Sequence, residues 1–241
     1  MFGGLFSSLL TVVYPRECRV CKNSVENHSS GVACADCWIA TRMFSGGEVL
    51  CNKCGAFLSE TGGPVESYCG DCGDHFYDKA VGAGIYEKAL AASIINLKKF
   101  PFISSDLRNR FIAAFQASRF QDSTTLIVPV PLSKRRRFER GFNQAEILGA
   151  VIADQSGIPM DKLSLCRKIH TPMHRAAMDK KARDLTVRNA FEIGRPKLIK
   201  GANVLLIDDV FTSGATASQC ARVLKKNGAA RVNVLTLARA V

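Results

Sequence analysis

The sequence lacks any run that approaches the roughly 20 consecutive apolar residues a membrane-spanning helix requires. Its first thirteen residues, MFGGLFSSLLTVV, are apolar, yet no Lys or Arg precedes that run and no small-residue cleavage site follows it before Pro15. These absences argue against a secretory signal peptide and favour an amphipathic helix that caps the first domain. We therefore expect a cytoplasmic protein without a membrane span.

Acidic side chains are also scarce. Lys and Arg number 33 against 21 Asp and Glu, which gives a net charge of +12 and favours polyanionic ligands such as diphosphates or nucleic acid. Hydrophobic residues make up 47% of the 241 positions, as is typical of a soluble globular protein. This length allows one domain of ordinary size plus a small one.

Histidine is too sparse to indicate acid-base catalysis. The four histidines are His28, His75, His170 and His174, and the sequence identifies a carboxylate partner for none of them. An imidazole can act as an acid or a base near neutral pH, but a solvent-facing position is the simpler interpretation of His174.

Cysteine, in contrast, is abundant and regularly spaced. Eight of the ten cysteines form four CxxC pairs, namely Cys18/Cys21, Cys34/Cys37, Cys51/Cys54 and Cys69/Cys72. Two residues between cysteines allow both thiolates of a tight turn to bind one metal ion, and two such turns complete the tetrahedral four-sulfur shell that Zn²⁺ prefers. The simplest pairing is sequential, which predicts two zinc ions, although an interleaved pairing stays open.

Zinc bound in this way is expected to be structural, because four sulfurs per ion leave no coordination site for water. The glycine-rich segment around these cysteines has few large aliphatic residues and would hardly fold without metal. A disulfide framework is the alternative, but it needs an oxidising compartment, against which the missing signal peptide argues. Cys166 and Cys220 have no partner spacing, and we expect both to be buried.

From Lys79 onward, strand-like and helix-like segments alternate, which predicts an α/β domain with a mainly parallel sheet. The polar segment 170–186 has no clear periodicity, and we interpret it as a flap or hood. The predicted strands are 79–86, 125–130, 163–169, 191–193, 203–209 and 231–238, and the predicted helices are 87–99, 107–118, 142–155 and 216–227.

The segment 204–216, VLLIDDVFTSGAT, carries the sharpest chemical signal, because a buried strand leads to two adjacent acids and a small-residue loop. Asp208 and Asp209 can accept hydrogen bonds from ribose hydroxyls or help to hold a hydrated Mg²⁺. Backbone amides and hydroxyls of the loop can surround a phosphate at the positive end of the next helix. The loop residues are Thr212, Ser213, Gly214, Ala215 and Thr216. An ordinary strand-turn-helix is the alternative.

A second basic segment, PVPLSKRRRFERGFNQAE at 129–146, directly follows the predicted strand 125–130. It contains five cations, Lys134, Arg135, Arg136, Arg137 and Arg140. In a phosphate-transfer site such cations would offset the charge of a departing diphosphate, although a solvated basic turn is the alternative. Few aromatic residues lie among them, so only Phe138 and Phe142 support base stacking.

The segment 204–216 resembles the phosphoribosyl-diphosphate signature of the type I phosphoribosyltransferases. Together with RGFNQAE at 140–146 and the four CxxC pairs, it makes the chain resemble the ComF family, also called competence protein F, of bacterial proteins associated with DNA uptake. The resemblance covers nearly the whole chain. It implies a helix and a double zinc ribbon over 1–76, and over 77–241 a phosphoribosyltransferase-like domain with a mainly parallel sheet flanked by helices.

The resemblance also implies roles for particular residues. It places substrate-binding elements on Lys99 and Phe100, on Arg140, Asn143 and Gln144 of the RGFNQ element, and on the 208–216 signature. The flap fits the family pattern less well, since Thr171 is followed by His174 and Arg183 by Thr186, where the family has Gln and Asn. The resemblance therefore implies no base-recognition role for these flap residues.

Two functional classes remain open at this point. In the first, an enzyme binds phosphoribosyl diphosphate with Mg²⁺, the diphosphate leaves ribose C1, and an unknown nitrogen nucleophile attacks. In the second, a non-catalytic module senses the sugar phosphate or binds single-stranded DNA, to which the positive charge is suited. A ribbon that docks a protein partner, such as another DNA-uptake protein, is a third possibility.

Overall fold

The computed structural model describes residues 16–59, 66–168 and 190–240. In these ranges no helix is long and apolar enough to cross a membrane. The predicted amino-terminal helix and the predicted flap at 170–186 lie outside the described residues, and so does the side chain of His28. His170, Thr171, His174, Arg183 and Thr186 fall in the same undescribed segment as the flap.

The cysteine-rich part contains little regular structure. Its first half holds the one-turn helix α1 (Ala35–Ile39), and its second half holds the short antiparallel strands β1 (Val49–Leu50) and β2 (Phe57–Ser59). Six of the eight paired cysteines are buried, whereas Cys21 is exposed and Cys69 partly exposed. Sulfur atoms therefore occupy the position that a hydrophobic core takes in a larger domain.

A four-stranded parallel sheet forms the centre of the α/β part, in the strand order β3-β8-β7-β4. A separate antiparallel pair, β5 with β6, lies beside it. The strands are β3 (Lys79–Ile85), β4 (Leu126–Pro129), β5 (Leu165–Arg167), β6 (Phe191–Ile193), β7 (Asn203–Phe211) and β8 (Arg231–Arg239).

Helices cover both faces of the sheet, which explains why β7 and β8 read as nearly continuous apolar runs. Two 3₁₀ turns, His28–Ser30 and Phe120–Asp122, complete the regular structure of the described residues. The helices are α2 (Lys88–Leu97), α3 (Ser105–Ser118), α4 (Lys134–Arg140), α5 (Gln144–Ser156), α6 (Pro196–Ile199) and α7 (Ala215–Lys226).

Each half of the cysteine-rich part joins the hydrophobic core on a different face of the sheet. On one face, Cys18, Cys34 and Cys37 share a cluster with α2, α3, α5 and the β7 residues Leu205 and Ile207. On the other face, a second cluster contains Cys51, Cys54, Cys72, Tyr77, Leu206 and Phe211 together with residues of α7. Because residues of a strand point alternately to the two faces, β7 contributes to both clusters.

The cysteine-rich part also pairs with the outer edge of β3. The amide of Phe44 donates to the carbonyl of Ala83 at 2.9 Å, and the amide of Ile85 donates to the carbonyl of Arg42 at 2.9 Å. Farther along the strand, the amide of Ala80 donates to the carbonyl of Lys53 at 2.7 Å. These bonds satisfy backbone groups that an uncovered edge strand would leave open.

The predicted fold class is confirmed, since a mainly parallel sheet flanked by helices follows a cysteine-rich zinc ribbon module. Local details differ from the expectation. The strand predicted to end at 209 continues to Phe211, so both acids lie within β7. Cys220 is buried as expected, but Cys166 is only half-buried, since it lies in β5 of the small two-stranded sheet and not in the central sheet.

The basic segment expected as a loop forms helix α4 instead. The hydroxyl of Ser133 accepts a hydrogen bond from the amide of Arg136 at 3.3 Å, which caps the first turn. Gly141 ends the helix with φ +77°, a backbone conformation that favours glycine. Ser133 at the start and Gly141 at the end of this highly charged segment are therefore the residues that indicate a helix in the sequence.

Candidate functional site

The cysteines form two tetrads, and the pairing is sequential. Cys18, Cys21, Cys34 and Cys37 form the first, and Cys51, Cys54, Cys69 and Cys72 form the second, each with its sulfurs within 4.8 Å of one another. Sulfur-sulfur distances of 3.5 and 3.7 Å in the first tetrad, and of 3.4 to 3.6 Å in the second, lie close to the edge of about 3.8 Å expected for tetrahedral zinc with Zn–S bonds of about 2.3 Å. Both tetrads therefore fit a structural zinc ion.

Backbone amides point at one sulfur in each tetrad. Burial raises the pKa of the Cys18 and Cys51 thiols, but amide donors outweigh this effect and bring each pKa down to about 6. The amide of Cys34 lies 3.3 Å from the Cys18 sulfur, and the amide of Cys69 lies 3.3 Å from the Cys51 sulfur. Amide donors of this kind stabilise the thiolate form that zinc binds.

A short loop joins β7 to α7. Gly214 is the residue before the helix and has φ +79°, and the Ser213 hydroxyl accepts a hydrogen bond from the Ala215 amide at 3.4 Å. Because α7 is a full-length helix, its first amides and its dipole present positive charge to this loop. The loop 212–216, which we call the phosphate loop, therefore has the form of an anion-binding site.

The two acids of β7 lie beside the phosphate loop. Asp208 accepts a hydrogen bond from the amide of Asp209 at 2.9 Å, and Asp209 forms an ion pair with the ammonium group of Lys98 at 3.0 Å. Burial raises the pKa of the Asp208 carboxyl to about 7, and the adjacent Asp209 charge adds to the increase. Ionising both acids is therefore costly until a ligand supplies hydroxyl donors or positive charge.

A cleft of about 380 Å³ separates these acids from the basic segment. Its wall contains Asp208, Asp209, Thr212 and Thr216 from the β7–α7 region, and it contains Arg136, Arg140, Asn143 and Gln144 from α4 and the start of α5. The cleft lies beyond the carboxyl ends of β4 and β7, where open parallel sheets bind their ligands. Predicted sites from two distant segments thus meet in one cleft.

Asn143 and Gln144 play different parts in this wall. Asn143 is buried and caps α5, since its side chain accepts from the amide of Ala145 at 3.1 Å and donates to the carbonyl of Val130 at 3.0 Å. Gln144 accepts from Arg140 at 2.9 Å, but its buried Nε2 donor has no hydrogen-bond partner among the described residues. An unsatisfied donor in a cleft wall is costly and suits an acceptor oxygen on a ligand.

The structure separates the five predicted cations of 134–140. Arg136 and Arg140 line the cleft, whereas Lys134, Arg135 and Arg137 are exposed. Arg135 pairs with Glu139 at 2.7 Å, and Arg137 pairs with Glu146. Only two of the five cations therefore face the acids.

Two further cations line the cleft, and the sequence reasoning missed both. Lys98 is the cleft lysine, while its neighbour Lys99, the residue that the resemblance suggested, is exposed. Arg167 enters from the end of β5, with its guanidinium 5.2 Å from the centre of the Phe191 ring. Burial lowers the pKa of Arg167, and the charge of Arg136 lowers it further. A lone arginine at the end of a three-residue strand gives no sequence signal.

Residues 9–73 match the family model of the double zinc ribbon domain. Competence protein F of Haemophilus influenzae is 28% identical over 234 residues, which cover 92% of this chain and 96% of that protein. The DNA utilization protein YhgH of Escherichia coli K12 is 29% identical over 238 residues, covering 96% and 99%. The YhgH protein of Salmonella typhi is 34% identical over 113 residues, and this match spans about half of each chain, 47% and 48%.

Solved structures with a similar chain path include enzymes that use phosphoribosyl groups. One is the glutamine phosphoribosylpyrophosphate amidotransferase of B. subtilis, with 16% identity, a TM-score of 0.35, and coverage of 56% of this chain and 28% of that one. Another is the purine phosphoribosyltransferase of Pyrococcus horikoshii, with 15% identity, a TM-score of 0.32, and coverage of 58% and 89%.

The parallel sheet, the loop after β7 and the two tetrads define an α/β fold with an amino-terminal double zinc ribbon, the class that the resemblance to the type I phosphoribosyltransferases led us to expect. Relatives with the names competence protein F and YhgH match along nearly the whole chain. The resemblance to the competence protein F family that the sequence motifs indicated is therefore confirmed.

Proposed function

We propose that this protein binds phosphoribosyl diphosphate together with Mg²⁺ in the cleft between β7 and α4. The observation that carries the proposal is the arrangement of three chemically different groups around one cleft of about 380 Å³. Thr212 and Thr216 of the phosphate loop, the two acids, and the pair Arg136 and Arg140 all line this cleft. Phosphoribosyl diphosphate offers a phosphate, ribose hydroxyls and a diphosphate to match these groups.

Each part of the ligand then has a matching partner. The 5′-phosphate lies in the phosphate loop, where the Thr212, Ser213 and Thr216 hydroxyls and the helix amides donate to it. The ribose hydroxyls donate to Asp208 and Asp209. The diphosphate lies against Arg136, Arg140 and the two further cations of the cleft, and the buried Gln144 Nε2 donates to one of the ligand's oxygens.

Mg²⁺ fits the same wall. Carboxylate oxygens and substrate phosphates are its usual ligands, with water completing the shell. Asp208 and Asp209 are adjacent acids, and the pKa of Asp208 is raised to about 7 by burial and by the Asp209 charge. A divalent cation brought in by the diphosphate would remove this repulsion and supply electrostatic stabilisation to the leaving group.

Pentosyl transfer is the reaction that this arrangement supports. The bond between ribose C1 and the diphosphate oxygen breaks, the bonding electrons leave with the diphosphate, a nitrogen nucleophile of the acceptor forms a bond to C1, and the proton of that nitrogen passes to water. The protein's part is to hold both ends of the sugar phosphate and to stabilise the negative charge of the departing diphosphate through Arg136 and Arg140. Eight thiols arranged for zinc favour a reducing compartment, so we place this function in the cytoplasm.

Calorimetric titration of the zinc-loaded protein with phosphoribosyl diphosphate and Mg²⁺ tests the proposal. We expect saturable binding that is lost when Asp208 and Asp209 are both changed to Asn. Asp122→Asn is a matched control for charge, since Asp122 is an exposed acid in the 3₁₀ turn Phe120–Asp122, outside the cleft. Absence of binding to the wild-type protein, or equal binding to the double variant, would refute the assignment of the site.

Release of diphosphate distinguishes an enzyme from a sensor. In a transferase, diphosphate appears only when a nitrogen-containing acceptor is added, and a panel of bases and amines identifies the acceptor class. Binding without release for every acceptor would favour the non-catalytic alternative, in which the cleft senses the sugar phosphate. The names of the relatives, competence protein F and DNA utilization protein, support a role of either activity in DNA uptake.

Single-stranded DNA is the second candidate ligand, and one observation favours it. Phe138 is 92% exposed on α4, beside the exposed cations Lys134 and Arg135. An exposed aromatic ring among cations can stack on a base while phosphates bind nearby. Binding should then be independent of sequence, fall steeply with salt, and weaken in Phe138→Ala. Failure to bind at low ionic strength would exclude this candidate.

A further inference from the structure

The two zinc ribbons differ in what they contact. The residues that follow the first tetrad contact helices α2 and α3. The Thr41 hydroxyl accepts from the Ala89 amide at 3.1 Å, and the Arg110 guanidinium lies 4.6 Å from the centre of the Trp38 ring. The residues around the second tetrad contact the phosphate loop and the residues on either side of it. This difference allows the roles of the two metal sites to be tested separately.

One connection runs from Cys72 to Gly214. The amide of His75 donates to the carbonyl of Cys72 at 3.2 Å, which fixes the chain just after the second tetrad. The His75 ring then packs directly on the phosphate loop, because a Cβ built on Gly214 would lie 2.9 Å from ring carbon Cε1. The Nδ1 atom of the same ring lies 2.6 Å from the Tyr77 hydroxyl, which holds the ring in place.

A second connection runs from Cys54 to Phe211, the residue before the loop. Arg239 donates to the carbonyl of Cys54 at 2.7 Å, and its guanidinium lies 4.7 Å from the centre of the Phe211 ring. Tyr77 packs edge-on against the same ring at 5.7 Å. Phe211 itself would lie 2.6 Å from a Cβ on Gly214, so both connections meet at that glycine.

A third contact holds the helix that the loop opens. The amide of Phe76 donates to the Ser218 hydroxyl in the first turn of α7 at 3.2 Å. Next to these contacts, Thr212 and Ser213 line a cavity of about 430 Å³. The contacts from the ribbon side that hold the loop are therefore those at Phe211, Gly214 and Ser218. The phosphate loop therefore owes its position to residues that follow the second tetrad.

We propose that the second zinc tetrad holds the phosphate loop in its binding conformation, with His75 as the positioning residue that transmits this support. Metal at the second tetrad then sets the affinity for the 5′-phosphate of a sugar phosphate, while metal at the first tetrad stabilises the fold without setting that affinity. This inference rests on the proposed function, because it assigns the phosphate loop to a 5′-phosphate.

Three variants test the proposal. His75→Ala keeps all eight cysteines and removes the ring, Cys69→Ser disrupts the second tetrad, and Cys21→Ser disrupts the first. Ribose 5-phosphate is the probe, because it lacks the diphosphate and therefore reports on the phosphate loop and the two acids without the cations of α4. We expect His75→Ala and Cys69→Ser to weaken its binding by about tenfold or more, the scale of one or two lost interactions, and Cys21→Ser to change it by less than about twofold.

Zinc content and amide hydrogen exchange complete the experiment. We expect two zinc ions per chain in His75→Ala and one in each cysteine variant, with faster exchange of the Gly214 and Thr216 amides in His75→Ala and Cys69→Ser only. Wild-type affinity and wild-type exchange in His75→Ala would overturn the proposal, as would equal losses in Cys21→Ser and Cys69→Ser. If the wild type bound no sugar phosphate, the proposed function would fail, and the exchange measurement would still decide whether the ribbon supports the loop.

Discussion

At the scale of single residues, the cleft contains side chains that stability alone would not favour. Asp208 is the clearest case, because burial and the neighbouring Asp209 charge raise its pKa to about 7. In the same cleft, the buried Gln144 Nε2 donor has no partner in the part of the chain that the structure describes. Groups of this kind cluster at functional sites because a ligand, not the protein, satisfies them.

Asp208→Asn should stabilise the ligand-free protein, and the gain should depend on pH. The folded-state pKa of about 7 lies above the unfolded value of about 3.9, so the folded protein keeps this proton longer than the unfolded chain. The stability associated with the protonated acid is thus present below about pH 4 and is lost as pH rises toward about 7. Asn cannot ionise and avoids this loss.

Thermal unfolding of both proteins between about pH 5.5 and about pH 8.5 checks this prediction. The melting temperature of Asp208→Asn should exceed that of the wild type by a margin that grows up to about pH 7 and then levels off. Asp122→Asn, which removes an acid outside the cleft, should show no growing margin. A constant or shrinking margin for Asp208→Asn would contradict the assignment of a raised pKa.

Gly214 is the residue where backbone conformation and packing coincide. Its φ of +79° already disfavours any side chain, and a Cβ would lie 2.6 Å from the Phe211 ring. Gly201 is a matched control, because it has φ +75° and no atom of the described residues lies within 4 Å of the added carbon. The comparison separates backbone strain, common to both glycines, from steric contact, which only Gly214 has.

Gly201→Ala should therefore cost only the strain of a left-handed alanine, about 1 kcal/mol in the free energy of unfolding. Gly214→Ala should cost about 1–3 kcal/mol more, and it should also abolish binding of ribose 5-phosphate, because the phosphate loop must move away from Phe211. Urea unfolding and calorimetry measure the two effects. Equal losses in the free energy of unfolding for the two substitutions would show that the added Cβ at Gly214 is accommodated beside Phe211 without moving the loop.

At the scale of elements, helix α4 shows how a run of cations in the sequence is divided between the wall of the cleft and the solvent. Helical geometry turns consecutive residues in different directions, so Arg136 faces the cleft while Arg135 points away and pairs with Glu139. The two arginines are adjacent in sequence and carry the same charge. The sequence predicted five equivalent cations, and the helix leaves two of them in the cleft.

Arg136→Ala should weaken binding of phosphoribosyl diphosphate by about tenfold or more, because it removes a cation next to the diphosphate. The same variant should bind ribose 5-phosphate as the wild type does, since this ligand has no diphosphate. Arg135→Ala should leave both affinities within about twofold, because an exposed charge outside the cleft contributes little. Equal losses in both variants would mean that the net positive charge, rather than the cleft, determines binding.

The same element-scale view explains what the sequence could predict. The β7 strand and its loop were predicted in detail because a buried apolar run, two acids and a run of small residues are local signals. The sequence analysis selected Lys99 and not Lys98, because both lysines directly follow α2. Which of the two side chains reaches Asp209 depends on how the last turn of the helix is oriented. Arg167 was missed because its role depends on the packing of β5 against the cleft.

At the scale of the whole molecule, the double zinc ribbon is part of one packed structure. Its first tetrad belongs to the core on one face of the sheet, and its second tetrad belongs to the core on the opposite face. Three backbone hydrogen bonds also tie it to the outer edge of β3. The family resemblance implied two units divided at residue 76, and a sequence pattern does not report contacts that cross such a boundary.

We therefore expect that the fragment 77–241 does not form a stable, soluble monomer on its own. Removing the ribbon exposes the edge of β3, including the Ala80 and Ile85 amides that now donate to it, together with the apolar surface under both tetrads. An exposed hydrophobic edge strand favours pairing between chains, so we expect the fragment to aggregate. Size-exclusion chromatography and circular dichroism, with the full-length zinc-loaded chain as reference, measure this directly. A monomeric, cooperatively folded fragment that binds ribose 5-phosphate would show that the two parts are independent, and it would remove the structural basis for coupling between the second tetrad and the phosphate loop.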